Sequence, residues 1–252
     1  MTASQKTRRR RAALAFLFAP AALVAARAWG QAPPPPPPEG AAAFSTEAGG
    51  RAVFFPPAEG SAGEKPLTMM LHGMCATPEW ECPFFRKGAA ASGYLLCGAG
   101  PALCGGGPGS RWSGAPGALA KAVNASVEGL ERRLPAGSKL GPGRALVGYS
   151  LGAAAASKVI ELARPGEWSG LVVVNASAVP SAAQLRKAGV KRVALVAGER
   201  DMTAPKLKRA AKALEGAGLE ARYFSLGPVG HYFGETTEAA LEAPLRWVHG
   251  RE

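Results

Sequence analysis

Aspartate is nearly absent from this chain of 252 residues: Asp201 stands alone, and every other acidic side chain is glutamate. Histidine is almost as scarce, with His72, His231 and His249, the last beside the C-terminus. The four cysteines are confined to the stretch from Cys75 to Cys104. They form two pairs with six intervening residues each and no histidine among them, a spacing that argues against a structural zinc site. No internal repeat is visible, and nothing implies a cofactor or a metal. The apolar run at residues 12–26 falls short of the ~20 residues that a bilayer core demands.

What is present in excess is positive charge, with a formal net charge of +12. Lys6, Arg8, Arg9, Arg10, Arg11 and Arg27 supply half of it before any acidic residue appears, and without them +6 remains. The other basic residues are scattered or sit on helical stretches such as 206–212, without the interleaved aromatics of a nucleic-acid face. A solvated helix surface follows, and no nucleic-acid partner. At 47% hydrophobic and 19% charged, the composition is that of an ordinary globular protein able to bury a sizeable core.

The N-terminal charge belongs to an export signal. A basic stretch at 6–11, an apolar stretch at 12–26 and small residues around Ala26 and Ala28 make residues 1–28 a secretory signal peptide, with an uncleaved anchor as the alternative. The arginine run also fits a twin-arginine signal. No cysteine near the cleavage region could carry a lipid. Residues 29–40 form a linker containing six consecutive prolines, Pro33 to Pro38, a stiff polyproline spacer. The folded domain is expected over 41–252, in the periplasm or outside the cell, with membrane contact only during export. Cys75, Cys82, Cys97 and Cys104 are then expected as disulfides. Four cysteines allow three pairings; Cys75 with Cys82 and Cys97 with Cys104 is expected, because short loops close at low entropic cost.

Periodicity predicts strands alternating with helices: a hairpin of 44–47 and 51–55, strands at 67–71, 94–97, 144–147, 171–175, 193–197 and 221–226, and helices at 78–91 (interrupted near Pro83), 115–134, 151–163, 205–217 and 236–248. This pattern implies an α/β fold, a mostly parallel sheet with helices on both faces.

Within it lies Gly148-Tyr149-Ser150-Leu151-Gly152, after an apolar run and before an alanine-rich helix. With 14 serines and 33 glycines in the chain, chance alone supplies about 0.24 such matches, so the pentapeptide needs its context. That context is a strand-to-helix turn, where a bent backbone projects a hydroxyl and small flanking residues avoid collision. Asp201 and then His231 follow, each just beyond a predicted strand, where open α/β sheets gather their functional groups.

In these residues the chain resembles the α/β-hydrolase superfamily, over roughly residues 41–250. The resemblance implies an α/β-hydrolase fold in which Ser150 is the nucleophile, His231 the base and Asp201 the acid, with Glu199 as reserve for the acid. It further implies that Leu71-His72-Gly73-Met74 is the family's His-Gly turn. The backbone N–H groups of Met74 and Leu151 would then form the oxyanion hole, with His72 ordering the loop. Only seventeen residues separate the strands at 171–175 and 193–197, too few for a helical lid, so no cap domain is expected. Trp80, Trp112, Met202 and Tyr232, with Phe84, Phe85 and Phe233, fall on loops expected around Ser150 and are candidates for contact with substrate. Paired cysteines and the Arg111-Trp112-Ser113 loop resemble those of secreted polyester and feruloyl-type esterases. Hydrolysis of a small or polymeric carboxylic ester is the expected activity; a peptidase of the same fold and a non-catalytic cell-envelope binding protein are the alternatives.

Overall fold

The computed structural model describes residues 34–251, so the expected signal peptide lies outside the described residues. Along the chain run β1 (Ala42–Ser45), β2 (Arg51–Phe55), β3 (Gly63–Lys65), β4 (Leu67–Leu71), α1 (Pro78–Glu81), α2 (Pro83–Ala89), β5 (Tyr94–Gly98), β6 (Ala102–Leu103), β7 (Ser110–Arg111), α3 (Pro116–Glu131), β8 (Ser138–Leu140), β9 (Ala145–Tyr149), α4 (Leu151–Leu162), β10 (Gly170–Val174), α5 (Ala182–Ala188), β11 (Arg192–Ala197), α6 (Ala204–Gly216), β12 (Glu220–Ser225) and α7 (Thr237–Val248). Eight strands form one sheet in the order β1-β2-β5-β4-β9-β10-β11-β12. The hairpin β1–β2 and the β2–β5 pair are antiparallel, and from β5 onward every pairing is parallel.

The central strands are buried at every position, which is why β4, β9 and β10 read as continuous apolar runs rather than alternating ones. Their side chains divide by parity. Leu67, Met69, Leu71, Leu146, Leu171 and Val173 enter a core covered by α3, α4, α5 and α6, whereas Met70, Val147, Val172 and Val174 enter a second core under α2 and α7. Helices therefore cover both faces. The register aligns Leu71 with Gly148, Tyr149 with Val174, Val174 with Val196, and Ala197 with Ser225, so five parallel strands end along one edge and their following loops emerge together.

Besides the short pairs β3–β8 and β6–β7, two features depart from the sequence expectation. The segment between β10 and β11 contains α5, a short helix that Ser181 and Gln184 start with a reciprocal capping box and Gly189 ends in the left-handed region at φ 76°. The disulfides join Cys75 to Cys104 and Cys82 to Cys97, not the neighbours in sequence. The sheet overrides the entropy of short loops: Cys97, near the end of β5, projects into the core beneath α2, where Cys82 also lies. The outer bridge then ties the loop after β4 to the one after β6.

The Cys82–Cys97 bridge closes a loop of sequence separation 15. Replacing both cysteines by serine is expected to lower stability by about 3 kcal/mol, read as a shifted denaturant midpoint. A change well below 1 kcal/mol would mean that packing alone holds this segment. Upstream, the proline tract packs lightly on the domain: Arg51 Nη2 donates to Pro35 O at 3.2 Å and Arg86 Nη1 to Glu39 O at 3.2 Å.

Candidate active site

Ser150 begins where β9 ends, with φ 52° and ψ −115°, a backbone conformation that L-residues rarely adopt. Its N–H donates to Val174 O at 2.9 Å and its carbonyl accepts from Ala153 N at 3.1 Å, so neighbouring strand and following helix both hold the turn. The flanking glycines are steric necessities. A Cβ on Gly148 would lie 2.4 Å from Ala153 Cα, and one on Gly152 only 2.0 Å from Leu71 O.

The loops after β11 and β12 deliver the other two groups, and they are fastened to each other. Glu199 N donates to Gly227 O at 2.9 Å and Arg200 N to Val229 O at 3.0 Å. His231 Nδ1 lies 2.7 Å from Asp201 Oδ2, and His231 Nε2 lies 3.0 Å from Ser150 Oγ. An ionised carboxylate can only accept, so Nδ1 carries the proton and Nε2 is left to accept from the serine hydroxyl. Asp201's side chain is fully buried while His231's is 41% exposed. Burial pulls the Asp201 carboxyl upward, but the Thr203 hydroxyl and N–H, each 2.6 Å from Oδ1, together with His231, hold it below the usual carboxylate range. Glu199 is instead bonded to Ser225 Oγ at 3.0 Å.

Several groups that the sequence did not single out support this chain of contacts. Asn175, at φ 47° beyond β10, donates from Nδ2 to His231 O at 2.8 Å and accepts at Oδ1 from Gly198 N at 3.0 Å. It thus joins both functional loops. Tyr149 OH donates to the same His231 carbonyl at 2.8 Å. Thr203, two residues past Asp201, was equally silent. In each case the signal would have been a polar residue next to a strand end, too common to single out.

The loop after β4 is ordered by His72. This ring is fully buried, and burial pushes its pKa down to about 4. The neutral ring donates from Nδ1 to Gly73 O at 2.8 Å and accepts at Nε2 from Gly100 N at 3.2 Å, with Ser110 Oγ 3.0 Å away. A trans peptide points its N–H opposite to its C=O, so fixing the Gly73 carbonyl also fixes the direction of Met74 N–H. That N–H has no protein acceptor among the described residues. Leu151 N–H, in the first turn of α4, likewise has no intrahelical partner.

A cleft of ≈ 630 Å³ lies against these groups, lined by Met74, Thr77, Trp80, Glu81, Ser150 and Tyr232 among others. Trp80 and Tyr232 are therefore where the sequence reading put them. Trp112 is not: it is 2% exposed, packed in the core with its ring 5.8 Å from His72. Met202 is 87% exposed beside Asp201 but does not line the cleft. Another cleft of ≈ 660 Å³, between β12 and α7, has none of the hydrogen-bonded groups described above. Among the described residues, no cluster of three or more His, Cys, Asp or Glu is placed to hold a metal ion.

No protein-family profile and no curated protein sequence matches the chain. Solved structures do. Esterase PE8 superposes with a TM-score of 0.56 at 22% identity, over 77% of this chain and 97% of its own. A carboxylesterase from Mesorhizobium loti gives 0.58 at 21% identity, over 81% and 98%. A ferulic acid esterase gives 0.59 at 16% identity, over 83% and 96%. The chain has the α/β-hydrolase fold. No cap domain is evident among the described residues: the stretch between β10 and β11 is taken up by the seven-residue helix α5.

Proposed function

We propose that the protein is an exported serine hydrolase of carboxylic esters, acting through an acyl-enzyme intermediate. The supporting observation is the continuous hydrogen-bonded series from Ser150 through His231 to Asp201, at the sheet edge beside an open cleft. The esterase neighbours agree with it. Export is supported by the basic and apolar N-terminus and by two disulfides that fit an oxidising compartment.

In this reading Ser150 Oγ attacks the ester carbonyl carbon while its proton passes to His231 Nε2. The carbonyl oxygen becomes an oxyanion, which the N–H groups of Met74 and Leu151 receive. Asp201 keeps the imidazole in the competent tautomer and stabilises its cationic form. Collapse expels the alcohol, which takes the proton from His231. A water molecule then loses a proton to Nε2, attacks the acyl carbon, and releases the acid and free Ser150.

The cleft beside Ser150 leaves room for an ester, and the esterase neighbours favour that substrate class over a peptide. With p-nitrophenyl esters and a peptide p-nitroanilide compared at equal concentration, the esters are expected to turn over at least ~10³-fold faster. Comparable anilide cleavage would identify a peptidase instead.

A further inference from the structure

α1 carries two acidic residues, Glu79 and Glu81, and both are buried. Glu79 is paired with Arg51 of β2. Glu81, 2% exposed, has no such cation among the described residues, yet it lines the cleft with Tyr149, Ser150 and His231. Its Oε2 accepts from Gly73 N at 2.8 Å. An unpaired buried carboxyl is expensive to keep unless it has a fixed partner, and here the partner is the amide one residue before the candidate oxyanion donor Met74.

The surroundings hold this contact in place. A Cβ on Gly73 would come 2.9 Å from Tyr149 Cε1 and 3.1 Å from Glu81 Oε1, so the absence of a side chain is what lets the loop reach the carboxyl. Cys82, the next residue, is bridged to β5, and Thr77 caps α1 by accepting from Trp80 N. Gly73 is thus gripped on both sides, its carbonyl by His72 Nδ1 and its N–H by Glu81.

We infer that Glu81 is a positioning residue for the oxyanion hole: its carboxylate anchors Gly73 N–H and so holds Met74 N–H toward the reacting carbonyl. This inference rests on the serine-hydrolase reading. Burial raises the Glu81 carboxyl from 4.5 to about 7, although the bond from Gly73 pulls the other way. The titratable groups that share the cleft with it are Tyr149 of β9, His231 and Tyr232; His72 lies on the far side of Gly73, and Glu79, on the same short helix, is paired with Arg51. Tyr149 is pushed up by burial first and by Glu81 second. Protonation turns a charge-assisted acceptor into a weaker neutral one, and the loop loosens as pH falls through about 7.

The test uses Glu81→Gln and Glu81→Leu in the full chain, with kcat and KM for a p-nitrophenyl ester measured from pH 5 to 9. Glu81→Gln keeps an acceptor without a titration. The wild-type to Gln ratio of kcat is expected to step down toward acid about a midpoint near pH 7. Glu81→Leu should lower kcat roughly 10-fold or more, with KM within about 3-fold, since loss of one oxyanion donor outright is worth about 10²–10³. Thermal unfolding gives an independent reading if the leucine variant does not fold. Between 4.5 and about 7 the folded wild type binds more protons at Glu81 than the unfolded chain, so this group lowers stability as pH rises. His72 and His249, both lowered by burial from 6.5 to about 4, act oppositely but equally in wild type and variant. The gap in Tm between Glu81→Gln and wild type should therefore widen in the variant's favour up to about pH 7. A flat kcat ratio, a Gln variant faster than wild type above pH 7, or a folded Leu variant with unchanged kcat would overturn the inference. The rate of Ser150 labelling by a fluorophosphonate separates the two levels: a wild type that never labels fails the hydrolase reading itself, whereas equal labelling of wild type and Glu81→Leu fails only the role of Glu81.

Discussion

Ser150→Ala is expected to reduce ester turnover by about 10⁴-fold or more and to abolish fluorophosphonate labelling, with unfolding behaviour unchanged. The separation of effects follows from the contacts. Among the described residues Ser150 Oγ has one hydrogen-bond partner, His231 Nε2, whereas the turn is held by backbone bonds to Val174 and Ala153 that alanine keeps. The strained φ of 52° is carried by any L-residue at this position, so the substitution adds no new strain. Removing the hydroxyl removes the atom that forms the acyl bond, and what survives is the electrostatic help of the Met74 and Leu151 amides to attack by water. Labelling of the alanine variant at wild-type rate would relocate the nucleophile.

Asp201→Asn carries the second large effect, an expected loss of about 10⁴-fold in kcat with KM nearly unchanged. The amide is nearly isosteric, and its oxygen can still accept from Thr203. Its NH₂ group, however, donates toward His231 Nδ1, which must then be the acceptor. The proton moves to Nε2, and Nε2 can no longer accept from Ser150. A stability effect of known sign accompanies this. The Asp201 carboxyl is held below its usual range, so its stabilisation is complete above that range and is lost as pH falls through the depressed value. The Tm difference between wild type and variant should therefore shrink toward strongly acidic pH. Wild-type kcat in Asp201→Asn would mean that another group orients the imidazole.

Much of the fold is legible from local pattern because a parallel sheet buried on both faces writes itself as short apolar runs, and its covering helices as amphipathic ones. The strands at 67–71, 94–98, 145–149, 170–174 and 192–197 are of this kind. The pairs β3–β8 and β6–β7, of two or three residues each, have too little sequence for any period to register. α5, only seven residues long, is too short for periodicity to show, and the bonds of its capping box and the left-handed turn of its terminal glycine are visible only in the structure.

The site divides in the same way. Ser150, Asp201 and His231 could be named because scarcity and order narrowed the choice: one aspartate in the chain, and one histidine in the loop directly after the last strand, the other downstream histidine lying beside the C-terminus. Asn175, Thr203, Tyr149 and Glu81 could not, since their importance lies in partners 2 to 82 residues away. Trp112 shows the converse: an aromatic on a loop reads as a possible pocket wall, but the loop folds inward and the ring fills core beneath His72.

By itself the chain determined which residue types are available for the chemistry and the order in which strands and helices present them, because hydrophobic period and turn sterics act over a few neighbouring residues. Which cysteines join, which aromatics face the cleft, and which carboxyl grips the Gly73 amide were decided only by the packed sheet. Strand order and register set those distances, and neither is encoded in any local stretch of sequence.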